Sequence, residues 1–109
     1  MSGLIVVYVT VGSSAEGDRL AHALVEERLA ACVSRIRPVQ SIYRWQGQVE
    51  RSEEELLIIK TKSGLFDRLK KRVKDLHSYS VPEIIALPIT EGNEDYLKWL
   101  DEQLLGDQE

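Results

Sequence analysis

The chain has 109 residues, 43% of them hydrophobic and 29% charged, with a formal net charge of -4. This is the composition of an ordinary globular protein, expected as a single domain over residues 1–109. It argues against a nucleic-acid partner, which needs a basic surface. The single cysteine, Cys32, excludes an intrachain disulfide and fits a reducing compartment.

Residues 4–11 form a β-branched, nearly continuous apolar run that reads as a strand buried on both faces. The run is too short to span a membrane, and no basic segment precedes it, so a cytoplasmic chain without an export signal or a membrane partner is expected. Ser13 and Glu16 have capping-box spacing. The helix they begin carries Leu20, Ala21, Leu24, Val25 and Leu29 on its apolar side and is expected to run to Ala30 or Ala31. From Cys32 the chain alternates as a strand, and Pro38 predicts a bulge or an edge position. Residues 42–45 continue the strand, Gln46-Gly47 reads as a tight turn, and residues 53–62 return, making a long hairpin.

After Ser63-Gly64, the spacing of Phe66, Leu69, Val73 and Leu76 predicts a second, strongly basic helix. Residues 81–89 read as a fourth strand with Pro82 and Pro88 near its ends. Asn93 is a good N-cap for a last helix carrying Tyr96, Leu97, Leu100 and Leu104. The order β-α-β-β-α-β plus a terminal helix predicts an α+β, ferredoxin-like sandwich: one antiparallel sheet with helices on one face. The other face then needs a cover, and another copy of the chain is the natural one.

The residues that carry chemistry are few. Cys32, at a helix-to-strand junction, reads as a small buried apolar residue rather than a nucleophile. His22 falls on an exposed helix face. His77, at the exit of the basic helix and just before Tyr79 and Glu83, reads either as a metal ligand or as a partner of the helix C-terminus. No His-x-x-x-His, Cys-x-x-Cys, Ser-His-Asp, Walker or GxGxxG pattern is present, so neither a closed metal site nor an enzyme is expected. The acidic run Glu50, Glu53, Glu54 and Glu55 reads as a solvated strand end. Tyr43 and Trp45, at period two, suit an interface between copies. Lys60 interrupts an apolar strand and calls for a partner, with Glu83 or Glu50 as candidates.

Four stretches resemble the CutA family of divalent-cation tolerance proteins. They are Glu26-Glu27-Arg28-Leu29-Ala30-Ala31-Cys32-Val33, Ser41-Ile42-Tyr43-Arg44-Trp45-Gln46-Gly47, Leu57-Ile58-Ile59-Lys60-Thr61 and His77-Ser78-Tyr79-Ser80-Val81-Pro82-Glu83-Ile84. The resemblance implies a ferredoxin-like subunit, a compact homotrimer and a link to tolerance of copper and other divalent metals. It also implies, in some members, copper held by a first-strand cysteine and two adjacent histidines. Here Val9 stands at the first position and Leu76-His77 at the pair, and Ser78 replaces the usual proline before Tyr79.

The expectation is therefore a homotrimer with Tyr43 and Trp45 in its contacts and at most weak Cu²⁺ or Zn²⁺ binding, with His77 as the metal ligand. A ligand cleft between subunits is expected to be lined by Tyr43, Lys60, His77, Tyr79 and Glu83. The alternative, by fold analogy, is a trimeric signalling module like the PII regulators, binding a small anionic ligand or nucleotide between subunits.

Overall fold

The computed structural model describes residues 3–106. Its elements are β1 (Leu4–Val11), α1 (Ser14–Glu26), β2 (Cys32–Trp45), β3 (Gln48–Lys62), α2 (Phe66–Leu76), β4 (Ile84–Pro88) and α3 (Glu94–Glu102), with one turn of 3-10 helix at Ser63–Leu65 leading into α2. The four strands form one sheet in the order β2-β3-β1-β4, every neighbouring pair antiparallel. This is the expected ferredoxin-like arrangement with an added C-terminal helix.

Alternation along the strands decides what is buried. Val7, Val9 and Val11 of β1 and Leu57 and Ile59 of β3 point to the helices and pack fully against Leu20, Leu24, Leu69, Val73 and Leu100. Burying each such side chain stabilises the fold by about 1.5–3 kcal/mol. The intervening residues Val6, Tyr8, Leu56 and Ile58 stay only half-buried, and Ile85 and Leu87 are exposed beside them. Within one chain β1 is thus buried on one face, not on both as its composition suggests.

Several boundaries depart from the sequence pattern. Helix α1 stops at Glu26, because Arg28 takes a left-handed φ of 60°. The Arg28 and Leu29 N–H groups then donate back to the Val25 and Leu24 carbonyls, at 3.1 and 2.9 Å. That is a Schellman cap with arginine where glycine is usual. The arginine side chain helps to hold this geometry, since its guanidinium donates to the Glu102 and Gln103 carbonyls at the end of α3, both at 2.9 Å. At the hairpin tip, Gln46 and Gly47 take φ of 50° and 81°. Two left-handed residues match the strand twist, so β3 pairs from Gln48 onward rather than from residue 53. Strand β4 is shorter than its apolar run, as pairing with β1 begins only at Ile84, beyond Pro82.

The Pro38 region has the largest effect on the site. Ile36 pairs with Leu56 but Val39 pairs with Glu54, so Arg37 and Pro38 together oppose the single residue Glu55. The Arg37-Pro38 peptide is cis. One extra residue reverses the alternation of β2. Before the bulge Val33 and Arg35 face the helices; after it Ser41, Tyr43 and Trp45 face the open side of the sheet. Beyond Glu55 the strand β3 has no β1 partner, so residues 39–54 form a two-stranded arm that stretches the molecule to 44 × 26 × 22 Å.

The bulge is anchored from the helix side. The Glu55 side chain is 1% exposed and accepts from Arg35 Nε at 2.7 Å and Arg35 Nη2 at 3.3 Å, with Arg37 Nε at 3.5 Å. Arg35 also reaches Asp18 Oδ1 at 3.1 Å and the Ser14 carbonyl at 2.8 Å. Its pKa is raised, first by the hydrogen bond to Glu55. Gly17 makes room for the carboxylate: a Cβ there would overlap Glu55 Oε2.

Candidate functional site

Where the arm leaves the sheet, a cleft of about 620 Å³ opens on the open-face side. Its floor is Thr10 of β1 and Glu54 of β3. Ser41, Ile42, Tyr43 and Trp45 of the arm form one wall, and Tyr79, Ser80, Val81 and Glu83 of the segment before β4 form the other. The bulge puts the arm's aromatic rings on this side.

The second wall is pinned by two buried polar groups. Glu16, in the first turn of α1, accepts from the Ser78 N–H at 2.6 Å and the Ser78 hydroxyl at 3.0 Å. His77 Nε2 lies 2.8 Å from the Thr10 carbonyl, and His77 Nδ1 lies 3.0 Å from the Tyr79 N–H. A carbonyl only accepts, so Nε2 carries the proton and Nδ1 accepts from Tyr79. The His77 and Tyr79 rings meet at a centroid distance of 4.7 Å. Tyr79 passes over Gly12, where a Cβ would sit 3.1 Å from the phenol oxygen. The phenol then donates to Glu54 Oε2 at 2.7 Å. Burial first, then the hydrogen bond and charge of Glu54, push the Tyr79 pKa well above that of a free phenol. On the opposite wall the Tyr43 hydroxyl is 2.6 Å from Ser52 Oγ.

Of the residues singled out from the sequence, the fold brings Tyr43, Trp45, Tyr79 and Glu83 around one cleft. His77 lies behind Tyr79 as a support. With Nε2 protonated and Nδ1 accepting from Tyr79, it offers no free lone pair to a metal in this geometry. Lys60 lies apart. It faces Val6, whereas Ile84, the neighbour of Glu83, faces Val9, and at about 3.3 Å per residue this separates them by roughly 10 Å or more along the sheet. Within the chain Lys60 Nζ donates to Ser34 Oγ at 3.0 Å, not to Glu83 or Glu50. Cys32, opposite Lys60, is half-buried on the open face rather than part of the core. Among the described residues no group of three or more His, Cys, Asp and Glu side chains is placed to hold a metal ion.

Sequence reasoning assigned Glu54 to a solvated run and Glu16 to a helix cap, and passed over Thr10. The acidic run of β3 reads as solvated, yet alternation sends Glu54 into the cleft and Glu55 under α1. The usable signal was the strand period itself, once the register is known.

The family described as CutA1 divalent ion tolerance protein matches residues 5–103. The chain belongs to this family. The CutA divalent-cation tolerance protein of Thermus thermophilus is 57% identical over 97 residues, spanning 89% of this chain and 94% of that one. The chloroplastic CutA of Arabidopsis thaliana is 51% identical over 96 residues, 88% of this chain but 53% of the plant protein, so this chain spans about half of that relative. Among solved structures, the T. thermophilus CutA1 superposes with a TM-score of 0.91 at 54% identity, covering 93% of this chain and 98% of that one. The Oryza sativa CutA1 superposes at 0.92 with 50% identity, covering 94% of each chain. No helix among the described residues is long and apolar enough to cross a membrane.

Proposed function

We propose that this CutA-family chain is a cytoplasmic, non-enzymatic, single-domain protein that acts as a homotrimer in tolerance of divalent metal ions, copper among them, and binds Cu²⁺ or Zn²⁺ only weakly. The observation that carries the cation preference is the charge of the cleft. Glu54 and Glu83 line it, and among the described residues no Lys or Arg does. An anionic ligand such as a nucleotide would meet repulsion there, which disfavours the PII-like reading. With both His77 nitrogens engaged, weak binding falls to the two carboxylates, too few for a closed site.

Assembly is supported by what one chain leaves uncovered. A two-stranded arm is marginal by itself. This one exposes Ile42, Tyr43, Trp45 and Val49, and the open sheet face adds Ile36, Ile85 and Leu87. Pairing of arms between copies would satisfy the free strand edges and bury these side chains.

Sedimentation equilibrium at micromolar concentration tests the assembly, with a trimer mass expected and a monomer mass overturning it. Equilibrium dialysis with Cu²⁺, Zn²⁺ and ATP tests the ligand class. Weak metal uptake, reduced in Glu54→Gln/Glu83→Gln and unchanged in His77→Ala, is expected. ATP uptake stronger than that of either metal would favour the signalling alternative.

A further inference from the structure

The sequence holds two histidines, and the support of Tyr79 accounts for His77 alone. The other, His22, lies in α1 four residues after Asp18, so both side chains rise from one face of the helix. That face belongs to the helix layer, on the opposite side of the sheet from the face that assembly covers. Both side chains are open to solvent, His22 at 69% and Asp18 at 59%.

His22 Nε2 stands 3.6 Å from Asp18 Oδ1. This is too long for a good hydrogen bond, which spans about 2.7–3.2 Å. It is close to the separation that a shared metal ion sets, since two bonds of about 2.1 Å at a tetrahedral angle span about 3.4 Å. The carboxylate is held in place. Arg35 Nη1 donates to Asp18 Oδ1 at 3.1 Å, and the same guanidinium is fixed by Glu55 at 2.7 Å and the Ser14 carbonyl at 2.8 Å. The charge of Arg35 is offset first by Glu55, its closer partner. Beside the pair is a hollow of about 250 Å³ backed by Ala21, Val25 and Val33. At about 30 Å³ per water, it has room for an ion and its remaining water ligands.

We infer that Asp18 and His22 form an open site for a borderline divalent cation, Cu²⁺ or Zn²⁺, with water completing the coordination. One imidazole and one carboxylate suit these ions, in the order Cu²⁺ above Zn²⁺. They do not suit Mg²⁺ or Ca²⁺, which ask for oxygen ligands. The inference deepens the reading above of weak Cu²⁺ and Zn²⁺ binding and rests on it, yet the site shares no residue with the cleft.

NMR of the histidine side-chain nitrogens on the full chain tests this, because the other imidazole, His77, is buried and serves as the internal reference. Zn²⁺ should shift the His22 signals saturably, and Cu²⁺ should broaden them at lower concentration, with His77 unmoved and Mg²⁺ without effect. The response should survive in Glu54→Gln/Glu83→Gln. Asp18→Asn keeps an oxygen for Arg35 but loses the carboxylate, and should weaken Zn²⁺ at His22 about tenfold or more, since one of two linked ligands is gone. Asp18→His, which makes an i,i+4 histidine pair, should restore or tighten binding. Equal Zn²⁺ affinity at His22 in wild type and Asp18→Asn would overturn the inference, leaving a lone surface imidazole. A wild-type His22 that does not respond would overturn it too. Metal dialysis on the same samples separates the failures. Uptake that depends on Glu54 and Glu83 without a His22 response removes this inference alone, whereas no uptake of either metal removes the reading above as well.

Discussion

Replacing Gly17 by alanine ought to destabilise this protein, against the usual rule for helices. In a helix interior alanine is favoured over glycine by about 1 kcal/mol. Here the new Cβ would occupy the position of Glu55 Oε2, which Arg35 holds at 2.7 Å. The carboxylate must move and its pair must break. Breaking a buried ion pair costs about 3–5 kcal/mol. The Arg35 side chain is 29% exposed, so the lower end applies, about 3 kcal/mol. After the helix gain, the net loss is about 2 kcal/mol, or roughly 10 °C in Tm for a chain of this size. Circular dichroism melts at fixed protein concentration read this directly. A Glu55→Ala background supplies the control, since without the carboxylate Gly17→Ala should be neutral or slightly stabilising. Equal effects in the two backgrounds, or a Gly17→Ala protein as stable as wild type, would refute the reasoning.

Glu16→Ala should cost about 2–4 kcal/mol in urea unfolding, because the Ser78 N–H and hydroxyl both lose their acceptor, and Glu16→Gln should cost less. Tyr79 gives an alkaline signature. Its folded pKa lies above the free value of 10.0, so its contribution is fully present below pH 10 and is lost as pH rises through the folded pKa. Tyr79→Phe should therefore show a shallower loss of stability than wild type above pH 10 in pH-dependent melts. Ile85→Asp or Leu87→Asp, at side chains 51% and 44% exposed on the open face, should shift the sedimentation mass to that of a monomer. An unchanged mass would exclude this face from assembly.

The β-branched run of β1, the long hairpin, the N-caps at Ser13 and Asn93 and the element order were all legible, because each is a local pattern. The end of α1 was not, since Arg28 stands where glycine would signal a left-handed cap, and the contacts that favour it come from α3. In the site, Tyr43, Trp45, Tyr79 and Glu83 were singled out for lying beside apolar strands, and the fold does gather them. The opposite fates of Glu54 and Glu55 needed the register of β3 against β1, which no window of sequence contains. His77 was visible as unusual, but its partner is a carbonyl 67 positions earlier in the chain. Within one chain Lys60 does not reach Glu83, because Lys60 sits opposite Val6 and Ile84, next to Glu83, opposite Val9, at different levels of the sheet.

The bulge at Arg37 and Pro38 also makes the segment from Val39 to Tyr43 a ruler. Past Trp45 the tip can lengthen or shorten without touching the cleft, since nothing there is measured against the sheet. Between the bulge and Tyr43, a change of one residue in each strand would present Ile42 and Arg44 to Tyr79 in place of the rings. A change of two would restore the rings but carry them about 7 Å along the arm, past their opposite wall. The reach of the arm and the chemistry at its root are therefore separately adjustable, and only the root is held to a fixed count.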